Sequence, residues 1–176
     1  LYPLYCGAEI VILDSFTPKE TISVIREEKI NDLYIVPSIC SLLTKLASKK
    51  DMASLRLVVS GGTTLPLKIE QDFMNKFGVD ICEGYGLSET SPVVTMNPPE
   101  KPKVGSCGPV VPGVAWKLID SDGNEVPKGE AGELIVKGDN IMLGYWNLPD
   151  ATKNALRGGW LHTGDVARAD EEGYIY

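Results

Sequence analysis

The sequence predicts an α/β protein: a parallel β-α-β layer followed by a small antiparallel, β-barrel-like subdomain. Two observations carry this. Up to Cys82, short apolar runs alternate with segments of helical apolar spacing. Strand and helix alternating at such short intervals imply parallel strands joined by helical crossovers. After a proline cluster at 97–102, short strands separated by turns replace the helical period, as in an antiparallel barrel or sandwich.

Each element has its own signal. Ile10-Val11-Ile12-Leu13 reads as a first short strand. Thr17-Pro18-Lys19-Glu20 opens a helix with a capping hydroxyl, a first-turn proline and a carboxylate three residues on. Leu33–Val36 is the next strand, and Ile39, Leu42, Leu43 and Leu46 then recur at helical spacing. Leu55–Val59 is a third strand, ending in Ser60-Gly61-Gly62-Thr63-Thr64. Ile69, Phe73 and Phe77 mark a helix that Gly78 stops. Val79–Cys82 is a fourth strand, entering a loop at Glu83-Gly84-Tyr85-Gly86-Leu87-Ser88-Glu89-Thr90. The expected division is an α/β subdomain over 1–98, a linker over 99–103 and an antiparallel subdomain over 104–176. In the latter, Trp116–Ile119 and Glu133–Lys137 are strands, Asp120-Ser121-Asp122-Gly123 is a hairpin-type turn, and 149–156 is a short helix. Asp170-Glu171-Glu172-Gly173 turns into a last strand.

Composition excludes several function classes. At 176 residues and 43% hydrophobic, the chain can bury a core as one large or two small domains. A net charge of −7 without a Lys/Arg cluster argues against nucleic acid or anionic lipid as partner. Cys6, Cys40, Cys82 and Cys107 are too scattered for a zinc site, and Cys40 and Cys82 read as reduced core thiols. No apolar run is long enough for a transmembrane segment, and a reducing cytoplasm is the simplest setting. The chain starts at Leu1 and stops in what reads as a turn entering a strand, so the expectation is a piece of a longer protein.

In parallel sheets, ligands bind beyond the carboxyl ends of the strands. Two glycine- and hydroxyl-rich loops fall there, 60–64 and 84–89, on strands consecutive in sequence and so expected side by side. Gly61 and Gly62 allow a backbone wall against a ligand, or simply a tight turn. Tyr85 between Gly84 and Gly86 offers an accessible flat face, or packs inward. Ser88 and Thr90 can donate to phosphate, and Glu89 can take Mg²⁺; the same Ser-Glu pair also suits a helix start. Asp165 can accept hydrogen bonds from a ribose diol, or shape a turn. His162 has no partner nameable from sequence and reads as structural.

Together these stretches resemble the adenylate-forming superfamily of acyl-CoA synthetases, adenylation domains and firefly luciferase. Ser60-Gly61-Gly62-Thr63-Thr64-Leu65-Pro66 is similar to its Gly-Gly-Ala loop, with Thr63 where Ala is usual. Gly84–Thr90 matches its Tyr-Gly-x-Thr/Ser-Glu motif. Gly132-Glu133-Leu134, Gly144-Tyr145-Trp146 and Thr163-Gly164-Asp165 match its later motifs in order. The resemblance implies a flavodoxin-like layer within an enzyme's large N-terminal domain. It implies that Tyr85 stacks on adenine, that the Gly61–Thr63 segment covers the other face, and that Glu83 lies near the adenine amino group. It implies that Gly84 and Gly86 belong to the nucleotide site and that Ser88 contacts the α-phosphate or acyl carbonyl. Glu89 would hold Mg²⁺ and Asp165 the ribose.

The implied reaction joins a carboxylate and ATP to acyl-AMP and pyrophosphate, then makes a thioester with coenzyme A and releases AMP. Glu-Gly-Tyr-Gly-Leu-Ser-Glu-Thr-Ser-Pro, with Asn97-Pro98 following, is most similar to bacterial long-chain fatty-acid–CoA ligases. The acyl pocket would then involve the Val36-Pro37-Ser38 helix start. Aryl- or amino-acid adenylation for a carrier protein, and a non-catalytic adenylate-binding module, are the alternatives. The family's phosphate loop and catalytic lysine are absent from these residues and would lie in N- and C-terminal parts of the same polypeptide. The piece alone is expected to be inactive, and the parent to be cytoplasmic, with peripheral membrane association left open.

Overall fold

The computed structural model describes residues 2–176. A short helix α1 (Tyr2–Tyr5) precedes an irregular stretch. The run Ile10–Leu13, expected as a strand, is not one, and Ile10, Val11 and Ile12 are exposed. β-branched residues favour a strand only where a neighbouring ladder receives them, and among the described residues no strand takes up this run. Helix α2 (Pro18–Glu27) starts with its proline in the first turn. The Thr17 hydroxyl donates to the Glu20 carboxylate at 3.2 Å and caps no backbone N–H, so the two residues meet side chain to side chain and the expected capping box is not made.

Strand β1 (Asp32–Ile35), helix α3 (Pro37–Leu46), strand β2 (Leu57–Ser60), helix α4 (Leu67–Phe77) and strand β3 (Ile81–Gly86) follow. β1–β2 and β2–β3 pair in parallel. Gly78 ends α4 at φ 75°, a left-handed cap that a residue with a β-carbon adopts only under strain. The helices supply Ile25, Leu43 and Phe73 to one core, which Ile35, Val58 and Ile81 of the strands meet. Alternation along the strands turns Tyr34, Leu57, Val59 and Cys82 to the other face. There they line an open apolar groove of about 670 Å³ with Pro3 and Met96.

The glycine-rich segment after Cys82 is a strand for half its length, not a loop. β3 continues through Glu83-Gly84-Tyr85-Gly86 because β4 (Val93–Met96) pairs with it antiparallel, giving a mixed sheet in the order β1-β2-β3-β4. The reversal is a single 3₁₀ turn at Ser88–Thr90. Thr90 fastens it: its Oγ1 accepts the Leu87 N–H at 2.9 Å.

Beyond β4, the Asn97 side chain is buried and anchors the proline-rich crossing. Its Nδ2 donates to the Ser106 carbonyl at 2.6 Å and its Oδ1 accepts the Lys103 N–H at 3.0 Å. Lys103 reaches Asp170 at 2.6 Å. β5 (Gly108–Pro109) pairs with β9 (Tyr174–Ile175), while β6 (Ala115–Ile119), β7 (Ala131–Lys137) and β8 (Leu161–Arg168) form an antiparallel sheet. These two sheets stay separate, so among the described residues the antiparallel part does not close into a barrel. The turn after β6 is built as expected, with Asp120 Oδ1 accepting the N–H groups of Asp122 and Asn124, each at 2.9 Å. Helix α5 (Pro149–Ala155) packs beside β8. Val94 of β4 joins Leu118, Leu134, Val136 and Leu161 in a second core, so the two halves meet across β4. No helix among the described residues is long and apolar enough to cross a membrane.

Candidate functional site

The parallel strands deliver two backbone segments to one place. Ser60 pairs with Glu83 at the carboxyl end of β2, and a β-carbon on Gly61 would stand 3.5 Å from the Gly84 carbonyl. Beside them opens a cavity of about 290 Å³. Gly62, Thr63 and Thr64 form one wall and Glu83 to Leu87 another, with Cys107 and Asp165 completing it. A slot with a backbone wall, an aromatic face and carboxylates at its edge suits a planar, hydrogen-bonding ligand. The structure therefore brings Gly62, Thr63, Glu83, Gly84, Tyr85, Gly86 and Asp165 to one cavity. Gly61 stands just behind its wall, and Ser88 and Glu89 lie on the adjoining 3₁₀ turn.

Glu83 is buried at the cavity's inner end. One carboxylate oxygen accepts the Leu65 N–H at 3.0 Å and the other the Cys107 thiol at 3.5 Å. Burial raises its pKa above the ordinary carboxylate value, and burial together with the neighbouring Glu83 pushes the Cys107 thiol up to about 12. Cys107 is thus an uncharged donor here. Nothing in its local sequence singles it out, because it reaches the site through the crossing from β4 to β5.

Tyr85 donates its hydroxyl to Asp165 Oδ2 at 2.6 Å. Burial, then the bond to Asp165, hold its phenol well above the ordinary range, so it is neutral and a donor. Asp165 is set within β8, where the ladder with β7 shifts register and Gly164 takes a φ of 76°. The Gly164 N–H donates to Glu133 Oε1 at 3.1 Å, the Asp165 N–H donates to Thr163 Oγ1 at 3.1 Å, and Thr163 Oγ1 donates to the Leu134 carbonyl at 2.7 Å. His162 Nδ1 lies 3.0 Å from Glu133 Oε2, which gives the lone histidine a structural partner outside the cavity.

Glu89 forms a second group beside the cavity. Its Oε1 accepts the Tyr145 hydroxyl at 2.7 Å, which holds the carboxyl below its usual pKa and so ionised. Its carbonyl accepts the Met142 N–H at 2.8 Å. Among the described residues no three His, Cys, Asp or Glu side chains gather as a metal cage. One ionised carboxylate with a free oxygen fits the alternative, a Mg²⁺ ion carried mainly by substrate phosphates and water. Tyr145 lies in the Gly-Tyr-Trp stretch, but no local pattern points from there to Glu89, 56 positions earlier.

Known proteins resemble the chain in sequence and in fold. A sequence model of a family described as AMP-binding enzyme matches residues 1–146. A long-chain-fatty-acid–CoA ligase of Escherichia coli O6:H1 is 38% identical over 164 residues, 90% of this chain and 29% of that protein. 4-Coumarate–CoA ligase 1 of Oryza sativa subsp. japonica is 36% identical over 183 residues, 98% of this chain and 32% of that one. Among solved structures, ATP-bound MatB from Rhodopseudomonas palustris superposes with a TM-score of 0.93 at 31% identity, covering 99% of this chain and 35% of that one. An anthranilate CoA ligase in complex with anthranoyl-AMP gives the same TM-score, 0.93, at 31% identity and the same coverage, 99% and 35%. The chain thus spans about a third of the length of these relatives.

Proposed function

The chain belongs to the AMP-binding enzyme family, and from that premise we propose that its polypeptide is an ATP-dependent long-chain fatty-acid–CoA ligase. The reaction would condense a carboxylate with ATP to acyl-AMP and pyrophosphate, then pass the acyl group to coenzyme A. One observation carries the proposal: residues from four separate segments, Gly62–Thr64, Glu83–Leu87, Cys107 and Asp165, wall a single cavity of about 290 Å³.

Each group has a task its chemistry suits. The Tyr85 ring and the Gly62–Thr63 backbone would flank adenine, and Glu83 would accept from the adenine amino group. Asp165, already oriented by Tyr85 and by the register shift within β8, would accept from the ribose hydroxyls. Ser88, exposed at the start of the turn, would donate to the α-phosphate or acyl carbonyl. Glu89 would hold Mg²⁺, which would neutralise phosphate charge during in-line displacement at the α-phosphate. Val36, exposed and 3.8 Å from a β-carbon built on Gly62, is placed to meet the acid substrate beside the nucleotide.

The chain carries a net charge of −7, so further cationic donors for the triphosphate would come from other parts of the polypeptide. On that basis the 176-residue chain alone turns over no substrate; acyl-CoA formation by it in purified form would overturn the proposal. In the full-length protein, Glu89→Ala should abolish fatty-acid-dependent pyrophosphate release, and an unchanged rate would remove Glu89 from the metal site. The likeness to 4-coumarate and anthranilate ligases favours one second reading, an aryl-acid–CoA ligase. Pyrophosphate release with palmitate, coumarate and benzoate side by side separates the two.

A further inference from the structure

The turn that carries Glu89 is held from the opposite half of the molecule. The Met142 N–H binds the Glu89 carbonyl at 2.8 Å, and Asn140 Nδ2 binds the Thr90 carbonyl at 2.8 Å. The third bond goes to the side chain: Tyr145 Oη donates to Glu89 Oε1 at 2.7 Å. Tyr145 is itself fixed at its backbone, because its N–H donates to Thr152 Oγ1 at 2.9 Å, and that hydroxyl donates to the Leu148 carbonyl at 2.9 Å. The phenol therefore stands ahead of α5, while the carboxylate it binds stands on the 3₁₀ turn between β3 and β4.

We propose that Tyr145 is a positioning residue for the metal-binding carboxylate, occupying Glu89 Oε1 so that Oε2 is presented to the Mg²⁺ of the bound nucleotide. A free glutamate side chain has three rotatable bonds, and ordering it on metal binding costs conformational entropy. A phenol on a fixed backbone removes much of that cost beforehand and also decides which oxygen remains free. Groups that hydrogen-bond to metal ligands commonly change metal affinity by about 10–100-fold. Tyr145 can act only through Glu89, so its effect must vanish when the carboxylate is gone.

This inference rests on the proposed metal role of Glu89, and the experiment separates the two. In the full-length protein, Mn²⁺ binding is titrated by electron paramagnetic resonance in the presence of a non-hydrolysable ATP analogue, for wild type, Tyr145→Phe, Glu89→Gln and the double variant. Thermal midpoints of all four are recorded alongside. The expected result is about tenfold weaker Mn²⁺ binding in Tyr145→Phe, a larger loss in Glu89→Gln, and a double variant no weaker than Glu89→Gln alone. Pyrophosphate release by Tyr145→Phe should recover towards wild type at high Mg²⁺. Unchanged Mn²⁺ affinity in Tyr145→Phe with a weakened Glu89→Gln overturns the positioning role alone. A further loss in the double variant overturns it as well, since Tyr145 would then act independently of Glu89. Unchanged affinity in Glu89→Gln removes the metal role of Glu89 and this inference with it.

Discussion

The Tyr85 hydroxyl donates to Asp165 Oδ2 at 2.6 Å, joining residues 80 positions apart across the two halves of the chain. The Tyr145–Glu89 bond runs the other way, its tyrosine in the second half and its carboxylate in the first. Tyr85→Phe keeps the ring and removes only the donor. We expect a stability loss of about 1 kcal/mol, the typical net worth of a hydrogen bond, because Asp165 stays open to solvent. On the proposed site, adenine stacking should survive, while Asp165 would lose its orientation towards the ribose. The full-length variant should therefore discriminate ATP from 2′-deoxy-ATP several-fold less than wild type does. Steady-state kinetics with the two nucleotides check this, and an undiminished preference would separate Tyr85 from ribose recognition.

Gly86 is constrained by close approach. A β-carbon there would lie 1.9 Å from the Pro92 carbonyl oxygen and 2.7 Å from its carbon, both backbone atoms of the facing segment. No side-chain rotation relieves such a clash, so β3 and β4 must separate where their register already shifts. Gly86→Ala should cost on the order of 3 kcal/mol, the upper range for overpacking, or prevent folding. Guanidinium unfolding curves read this directly, and a wild-type midpoint would show that the two strands can part freely.

The elements from Thr17 to Gly78 were legible because their signals act within a turn or two of chain. Pro18 at a first turn, Phe73 and Phe77 on one helix face, and Gly78 as a left-handed stop each work locally. Ile10–Leu13 misled because strand propensity is realised only against a partner. The strand character of Gly84-Tyr85-Gly86 was hidden for the converse reason: glycines disfavour a strand until β4 supplies the ladder. The cavity walls could be expected because two loops on consecutive parallel strands must be neighbours. Cys107 and Tyr145 could not, since each arrives through an irregular crossing, one shaped by Asn97 with Ser106 and the other by Asn140 with Thr90.

Glu70 of α4 is buried, with Oε2 accepting the Gly105 N–H at 3.3 Å. Desolvation raises its pKa, the charges of Glu83 and Asp80 add to this, and the Gly105 bond opposes them. The folded state therefore binds this proton more tightly than the unfolded chain. Its contribution to stability is complete below the ordinary value near 4.5 and is lost as pH rises through the folded-state value. Asp170 and Glu172, held down by their bonds to Lys103 and Lys101, have the opposite dependence, losing stability as pH falls. Glu70→Gln keeps an acceptor for Gly105 and removes the charge. The stability difference between variant and wild type should grow in the variant's favour from pH 4.5 towards 7. Denaturation midpoints across that range test it, and a constant difference would mean Glu70 titrates alike in both states.

Lys103 clasps the proline-rich crossing to the last hairpin. Its ammonium lies 2.6 Å from Asp170, 2.8 Å from Glu172 and 4.2 Å from the centre of the Tyr174 ring. The Lys103 side chain is only 23% exposed and that of Asp170 24%, so this pair is less screened than the neighbouring Lys101–Glu172 pair on the open surface. Lys103→Met keeps most of the apolar stem over Tyr174 but leaves Asp170 without its cation. Part of Asp170 remains useful, because its Oδ1 still accepts the N–H groups of Glu172 and Tyr174, at 2.9 and 3.0 Å. We expect the melting temperature to fall by a few degrees. Adding Asp170→Asn should then cost less in the Lys103→Met background than in wild type, because the unpaired charge is removed. Thermal melts of the two single variants and the double variant measure that coupling. Strict additivity would show that Lys103 and Asp170 are not energetically coupled.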